Sequence, residues 1–346
     1  MNDDLLADAA RRVLSDHCTP SVVRAIEAAG AAAPEAVALW AQLEATGLAD
    51  ALLPEDRGGA GLALAQLFGV LAECGAHALP LPLADTLLAR ALLSAAGVEA
   101  PTGSVALAQG ERLADGGLRC ALVRGGRVAT SVLAQADGGW HLLPVDAAQP
   151  APQALALDAA LRWDAASLQT ASPVAAPKGV ELRTLQAAVV AAQMAGALTV
   201  VFERTLQYAN ERQQFGRPIG KFQAIQHQLA VMSEHVFAAR MAAQIGCGGP
   251  GPWPDRLRVA TAKARCSEAA LAVSETAHAL HGAIGFTAEY ELQLFTRRLH
   301  AWRQAAGSES YWHEVAGAAL LAHEGPTLDV VRRITDIEAD APLLPA

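Results

Sequence analysis

The stretch YANERQQFGRPIGKFQAIQHQLAVM, residues 208–232, decides how the chain is read. Apolar residues recur at helical spacing on both sides of it, and one tight polar corner interrupts them. Within six residues the corner carries Arg212, Gln213, Gln214, Phe215 and Arg217, with Gly216 and Pro218 as turn formers. Such a corner is either a plain connection between two helices or a place built to hold something.

Upstream, Leu185 to Phe202 carries no charge and is long enough to resemble a membrane span. It also holds Gln186, Gln193 and Thr199, and the same periodicity runs on into Glu203, Arg204 and Glu211. That continuity reads as a buried helix of a soluble protein, with no membrane span. From Gly179 onward the pattern predicts helices over 180–212, 222–246, 254–281, 291–304 and 309–323. The last twenty residues, ending DIEADAPLLPA, read as a loose tail.

The first hundred residues also read as helices. DDLLADAARRVL places Leu5, Leu6, Ala9 and Val13 on one face. APEAVALWAQLEATG has Pro34 in its first turn and Gly47 just past its end, ordinary start and stop chemistry. The loop LPEDRGGAG follows, and two further helical runs flank the break HALPLPLADT. Near Pro101 the pattern changes to short apolar runs, SVALAQ, LRCALVRGGRVATSVLA and GWHLLPVD, punctuated at Gly116-Gly117, Gly125-Gly126 and Gly138-Gly139. This predicts a meander or small barrel, closed by the Ala/Pro-rich linker ASPVAAPKG.

Composition narrows the function classes. The chain has 346 residues, 52% hydrophobic and 18% charged, with a net charge of −9 and no basic block. A large core is affordable, and a nucleic-acid surface is not expected. Cys18, Cys74, Cys120, Cys247 and Cys266 form no C-x-x-C pair and are odd in number, which fits reduced thiols in a cytoplasm. The opening MNDDLLADAARR is charged from the start, so no signal peptide is expected.

The corner segment, together with LHGAIGFTAEYELQLFTRR, resembles the C-terminal domain of the acyl-CoA dehydrogenase family. The resemblance implies an α+β fold. It would have an N-terminal α-helical domain at 1–100, a small, degenerate middle β domain at 101–175, a C-terminal four-helix-type bundle at 179–325 and a tail at 326–346. It implies FAD-dependent α,β-dehydrogenation of an acyl-CoA, with electrons passed to an electron-transfer flavoprotein. In the family the arginine-glutamine-phenylalanine-glycine corner of one subunit reaches the ADP part of a neighbour's FAD. By motif match that role falls to Arg212, Gln214, Phe215 and Gln223, with Gly282 from the GAIG turn. The chemistry suits it. A guanidinium fork meets a pyrophosphate with two parallel hydrogen bonds, and an aromatic beside it covers a base or excludes water.

The departures from the family are as informative. The usual catalytic carboxylate precedes a glycine-serine/threonine pair; here that position is Ala306, before Gly307-Ser308. The alternative position, on the first long helix of the domain, is Gln186. Neither side chain is a base. The flavin-ring motifs of the middle domain are replaced by ALAQGERLADGG and RGGRVATSVLAQ, and Ala279 and Ala283 replace a common glutamine and a family glycine. The chain therefore keeps the half-site it offers a neighbour and loses the half it would use itself. That pattern is similar to the short subunit of heteromeric members, including enzymes of steroid side-chain CoA esters, and RRLHAWRQAAGSESYWHEVAG resembles the same subclass. The implied partner is a flavin-holding acyl-CoA dehydrogenase subunit that holds or shares the FAD. Two alternatives stand beside this reading: a non-catalytic scaffold subunit, and a homomeric enzyme with a relocated base, for which Glu309 is the candidate.

Other residues have plainer readings. Glu275 and His278 form half of a carboxylate di-iron signature, which needs two such motifs. His278 and His281 lie one turn apart without a third ligand in view, so no metal is expected. Ser308 and Glu309 suit the first turn of a helix. Asp56 and Arg57 read as a solvated loop, and Trp302, Tyr311 and Trp312 as packing residues.

Overall fold

The computed structural model describes residues 2–175, 177, 179–249 and 253–335. In chain order the elements begin with helices α1 (Asn2–His17), α2 (Pro20–Ala29), α3 (Pro34–Ala45), α4 (Phe68–Ala76) and α5 (Leu83–Ala95). Strands β1 (Val105–Gln109), β2 (Glu111–Arg112), β3 (Leu118–Val123), β4 (Ser131–Ala136), β5 (Gly139–Pro144), β6 (Gln149–Pro152) and β7 (Ala159–Trp163) follow, then α6 (Ala165–Thr170) and β8 (Ser172–Val174). The long helix α7 (Leu182–Glu211) leads to the short strands β9 (Gln213–Gln214) and β10 (Arg217–Pro218). The remainder is α8 (Gln223–Gly246), α9 (Arg256–His281), α10 (Leu292–Gln304), α11 (Glu309–Ala322) and α12 (Thr327–Thr335). Contacts divide the chain into two units, residues 1–66 with 79–186, and residues 67–78 with 187–346.

In the first unit, capping chemistry sets the helices as the sequence predicts. Pro34 occupies the first turn of α3, and Gly47 turns the chain left-handed after it at φ 71°. The α1 face differs from the expected one. Leu5 is 63% exposed, and the buried stripe is instead Ala10, Leu14 and Cys18. Arg90 on α5 gathers this region, donating to Asp50 at 2.9 Å, to Glu44 at 3.0 Å and to the Gly103 carbonyl at 3.0 Å. Arg57 is exposed as predicted, yet it donates to the Ser94 carbonyl at 2.6 Å, so its loop is tethered.

The strands of this unit form two four-stranded sheets, ordered β1-β4-β5-β8 and β2-β3-β7-β6. This replaces the expected meander or barrel. The chain crosses between the sheets after β3, and β1 pairs with β4 in parallel. A meander needs each apolar run to pair with the next; here β4 is buried almost throughout and takes β1 and β5 as neighbours. Ala106, Val132 and Leu143 of one sheet and Leu118, Cys120, Leu161 and Trp163 of the other make the shared core. Trp163 Nε1 donates to the Pro144 carbonyl at 2.8 Å and so ties the two layers. The segment read as a linker contributes β8, which pairs with β5 over Ser172–Val174. Positions 176 and 178 of that segment lie outside the described residues.

The second unit is helical. Helices α7 to α11 begin and end within one residue of the predicted runs, except that α7 and α9 each start two residues late. Helix α7 is long and apolar enough to cross a membrane, but 78% of its most apolar window is buried within the protein, as expected for a core helix. α4 packs against it at two glycines. A Cβ on Gly75 would lie 1.8 Å from the Gln193 carbonyl oxygen, and one on Gly196 1.8 Å from that of Ala72. Only glycine allows the two backbones so close. Trp302 and Trp312 are buried, in keeping with their packing role. Residues 327–335 of the expected loose tail form α12, and 336–346 lie outside the described residues.

Candidate functional site

The corner forms at the C-terminal end of α7. Arg212 N–H donates to the Tyr208 carbonyl at 2.8 Å, continuing the helical ladder by one residue. β9 and β10 then make a minimal hairpin, with Gln214 opposite Arg217 and Gln213 opposite Pro218. The two central residues, Phe215 and Gly216, have φ of 54° and 80°. A two-residue hairpin of this hand needs positive φ at both, which glycine accepts freely and phenylalanine does not. Strain of this kind costs of order 1–3 kcal/mol and persists where the surrounding structure over-determines it. Here the Ile219 N–H closes the loop on the Arg212 carbonyl at 2.8 Å.

The strained residue is displayed rather than packed. Phe215 is 90% exposed and meets only the edge of Phe222, centroids 6.1 Å apart. Arg217 lies over the Phe222 ring at 4.2 Å and stiffens the base of the hairpin. Arg212, Gln214 and Gln223 are all exposed. Among the described residues the Arg212 guanidinium has no hydrogen-bond or ion-pair partner. The corner thus offers an unengaged cationic fork beside an exposed aromatic, a combination that suits a phosphate-bearing ligand.

Gly282, the other residue expected at this site, ends α9 with φ 63°, and open space surrounds the position of its missing Cβ. The preceding residue, His281, stacks on Tyr208 with centroids 4.4 Å apart. The structure therefore joins the Gly282 turn to the helix end that carries Arg212. His278 stacks on Phe286 at 4.2 Å, and its Nε2 pairs with Thr296 Oγ1 at 3.1 Å. Burial lowers the pKa of both histidines. Glu275 is exposed, and no group of three His, Cys, Asp or Glu side chains among the described residues is placed to hold a metal.

The two base positions lie in different units. Ala306 sits in the turn between α10 and α11 with φ 55°, followed by Gly307 at 101°. Three hydrogen bonds from two side chains fix that turn. Trp312 Nε1 binds the Ala306 carbonyl at 3.0 Å, and Lys263 Nζ binds the carbonyls of Gly307 at 2.8 Å and Arg303 at 2.9 Å. Lys263 is fully buried, and its third bond, 2.9 Å, goes to Ser267 Oγ. Sequence reasoning overlooked Lys263; the available signal was a lysine amid alanines with Ser267 one turn on. Glu309 begins α11, where Arg303 grips both of its carboxylate oxygens, with Nε to Oε2 at 3.0 Å. Hydrogen bonding by Arg303 lowers its pKa, which makes it a poor acceptor for an α-proton.

Gln186 has a different task. Its Nε2 donates to the Leu107 carbonyl of β1 at 2.8 Å. Asp85 Oδ2 accepts the Leu107 N–H at 3.3 Å, and Thr86 Oγ1 accepts the Val105 N–H at 3.0 Å. Asp85 is itself held by Arg124 at 2.6 Å. β4 pairs along the other edge of β1. Val105 to Ala108 are buried, so this strand, where the degenerate flavin-ring segment begins, has both edges occupied at Val105 and Leu107 by the chain's own groups. The residues present do not fit a flavin ring on this part of the middle sheet, whereas the corner does fit the phosphate end of such a cofactor.

Comparison with known proteins places these features. Residues 2–100 match the family model for the acyl-CoA dehydrogenase N-terminal domain, and residues 184–321 that for the C-terminal domain. The chain belongs to the acyl-CoA dehydrogenase family. It is 32% identical over 301 residues to Acyl-CoA dehydrogenase IpdE2 of Mycobacterium tuberculosis, covering 87% of this chain and 91% of that protein. Acyl-CoA dehydrogenase FadE34 of the same organism is 32% identical over 298 residues, but this chain spans only 41% of its length. Among solved structures, the ChsE4-ChsE5 complex from Mycobacterium tuberculosis contains a chain that superposes with a TM-score of 0.82 at 22% identity, covering 94% of this chain and 98% of that one. A Tcur3481-Tcur3483 steroid ACAD variant gives 0.77 at 25% identity, covering 92% and 97%. The helix, sheet and helix layout is the fold of this family, whose members are FAD-dependent oxidoreductases acting on the CH–CH bond of an acyl-CoA.

Proposed function

We propose that this chain is the partner subunit of a heteromeric acyl-CoA dehydrogenase. In this reading a second, flavin-holding subunit supplies the ring-binding half-site and the α-proton acceptor. This chain supplies the grip on the ADP end of that subunit's FAD, through Arg212, Gln214, Phe215, Gln223 and the Gly282 turn. When bound, FAD supplies the hydride acceptor. The observation that carries the proposal is the asymmetry between the two half-sites. The corner is strained and exposed, with its Arg212 guanidinium unengaged, while the chain's own β1 has its edge groups at Val105 and Leu107 occupied.

Three further observations support it. Both base positions carry non-basic side chains, and Arg303 engages Glu309, which weighs against a homomeric enzyme with a relocated base. Helix α8 leaves Val231, Phe237 and Met241 exposed, an apolar surface suited to a subunit contact. The similar solved structures include the ChsE4-ChsE5 complex and a Tcur3481-Tcur3483 steroid ACAD. A steroid or other lipid-derived acyl-CoA is the proposed substrate class, with an electron-transfer flavoprotein as the electron acceptor. The cysteines are all buried and none forms a disulfide, which fits a reducing cytoplasm.

Turnover with an artificial electron acceptor tests the reading. The chain alone should not dehydrogenate acyl-CoA, and the co-purified pair should. Activity of the chain alone would overturn the assignment of the base to the partner, and its loss in Glu309→Gln would place the base at Glu309.

A further inference from the structure

Tyr208 and His281 belong to neither the corner nor the glycine turn, yet they touch both. Tyr208 precedes Arg212 by one helical turn and accepts its N–H at 2.8 Å. His281 is the last residue of α9, directly before Gly282. Their rings stack with centroids 4.4 Å apart and 26° between planes, and the Tyr208 hydroxyl donates to the His281 carbonyl at 3.5 Å. His281 is only 3% exposed, with Tyr290 flanking it at 5.3 Å.

The hydrogen bonding of His281 defines its tautomer. Its Nδ1 lies 2.8 Å from the Ala277 carbonyl, and a carbonyl can only accept. The proton is therefore on Nδ1, and Nε2 is a bare acceptor, buried and without a partner. The ring makes no polar link to Arg212 or Gly282. What it contributes is a flat neutral face against Tyr208, between segments more than seventy residues apart.

We propose that Tyr208 and His281 are a positioning pair, which locks the Arg212 corner and the Gly282 turn into one rigid surface facing the ligand. The proposal rests on the reading that this surface grips a partner's FAD. Neither ring meets the ligand; each acts through the backbone it fixes. Without the stack, two halves of the surface would move independently, and the ordering of each would oppose binding.

Amide hydrogen exchange on the full chain, together with flavin retention by the assembled pair, tests this. Tyr208→Ala should speed exchange not only at 212–217 but also at 282–286, and His281→Ala should do the reverse, each by at least about tenfold. Tyr208→Phe and His281→Phe, which keep a ring in place, should restore slow exchange and flavin retention. If an alanine variant fails to fold, Tyr208→Leu or His281→Leu preserves apolar volume without the stack and should show the same coupled loss. Exchange that rises only in the mutated segment, or phenylalanine variants as impaired as alanine ones, overturns the lock. Arg212→Ala separates the two ideas, because it should release flavin without speeding exchange at 282–286. Retention unchanged in that variant overturns the FAD-facing role, whatever the exchange shows.

Discussion

Phe215 is the residue at which conformation and exposure most clearly conflict. A bulky side chain at φ 54° that is 90% exposed gains from its own chain only an edge contact with Phe222 to offset the strain. Arg212 beside it is charged and unengaged. If the two face a partner's FAD, Arg212→Ala removes a fork from a pyrophosphate, at roughly 2–5 kcal/mol where the pair is buried in the complex. The assembled pair should then lose flavin on dilution, with Arg212→Lys recovering only part. Flavin content measured beside melting temperature checks this; unchanged occupancy with reduced stability would make the corner a structural turn alone. His278, half-buried, and His281, buried, set a second expectation. Burial lowers the pKa of His278 and His281, so the unfolded chain binds more protons as pH falls below its ordinary value of about 6.5. Their neutral forms therefore contribute stability that is complete above that pH and lost as pH falls through the folded values. Thermal melts from pH 8 to 5 should show this acid limb, and His281→Phe should flatten it. An acid limb identical to wild type would remove His281 from that account.

At the scale of elements, the helices were legible because their periodicity and caps are local. Pro34, Gly47 and the runs of α7 to α11 needed no knowledge of their neighbours. The sheets were not legible in the same way. An apolar run such as Val132–Ala134 announces burial but not its partners, and the parallel pairing of β1 with β4 depends on a crossover that no local signal encodes. The corner residues were legible through their motif, whereas the Tyr208–His281 stack and the three bonds of Lys263 arise only from tertiary packing. Two substitutions probe that packing. Gly196→Ala forces a Cβ against the Ala72 carbonyl and should destabilise the protein by about 1–3 kcal/mol or more in chemical denaturation. Lys263→Met leaves the Gly307 carbonyl without its buried donor and the Arg303 carbonyl with only the long bond from Ser267 Oγ at 3.4 Å, and should cost about 1–3 kcal/mol. A denaturation midpoint unchanged by Lys263→Met would show that the Ala306 turn is held by Trp312 and the Arg303–Glu309 pair without it.

For the whole molecule, the central claim is that one half of a flavin site is retained and the other is closed. In the proposed reading Gln186 contributes to that closure: its amide holds the Leu107 carbonyl, a bond that an ionised carboxylate could not donate. Asp85 and Thr86 complete the edge. Family membership alone predicts a yellow protein, and the asymmetry predicts a colourless one. The most direct measurement is the visible absorbance spectrum of the chain purified alone and co-purified with a full-length acyl-CoA dehydrogenase partner. The account predicts little or no flavin band for the isolated chain and a clear band for the pair. A near-stoichiometric flavin band in the chain purified alone would contradict it.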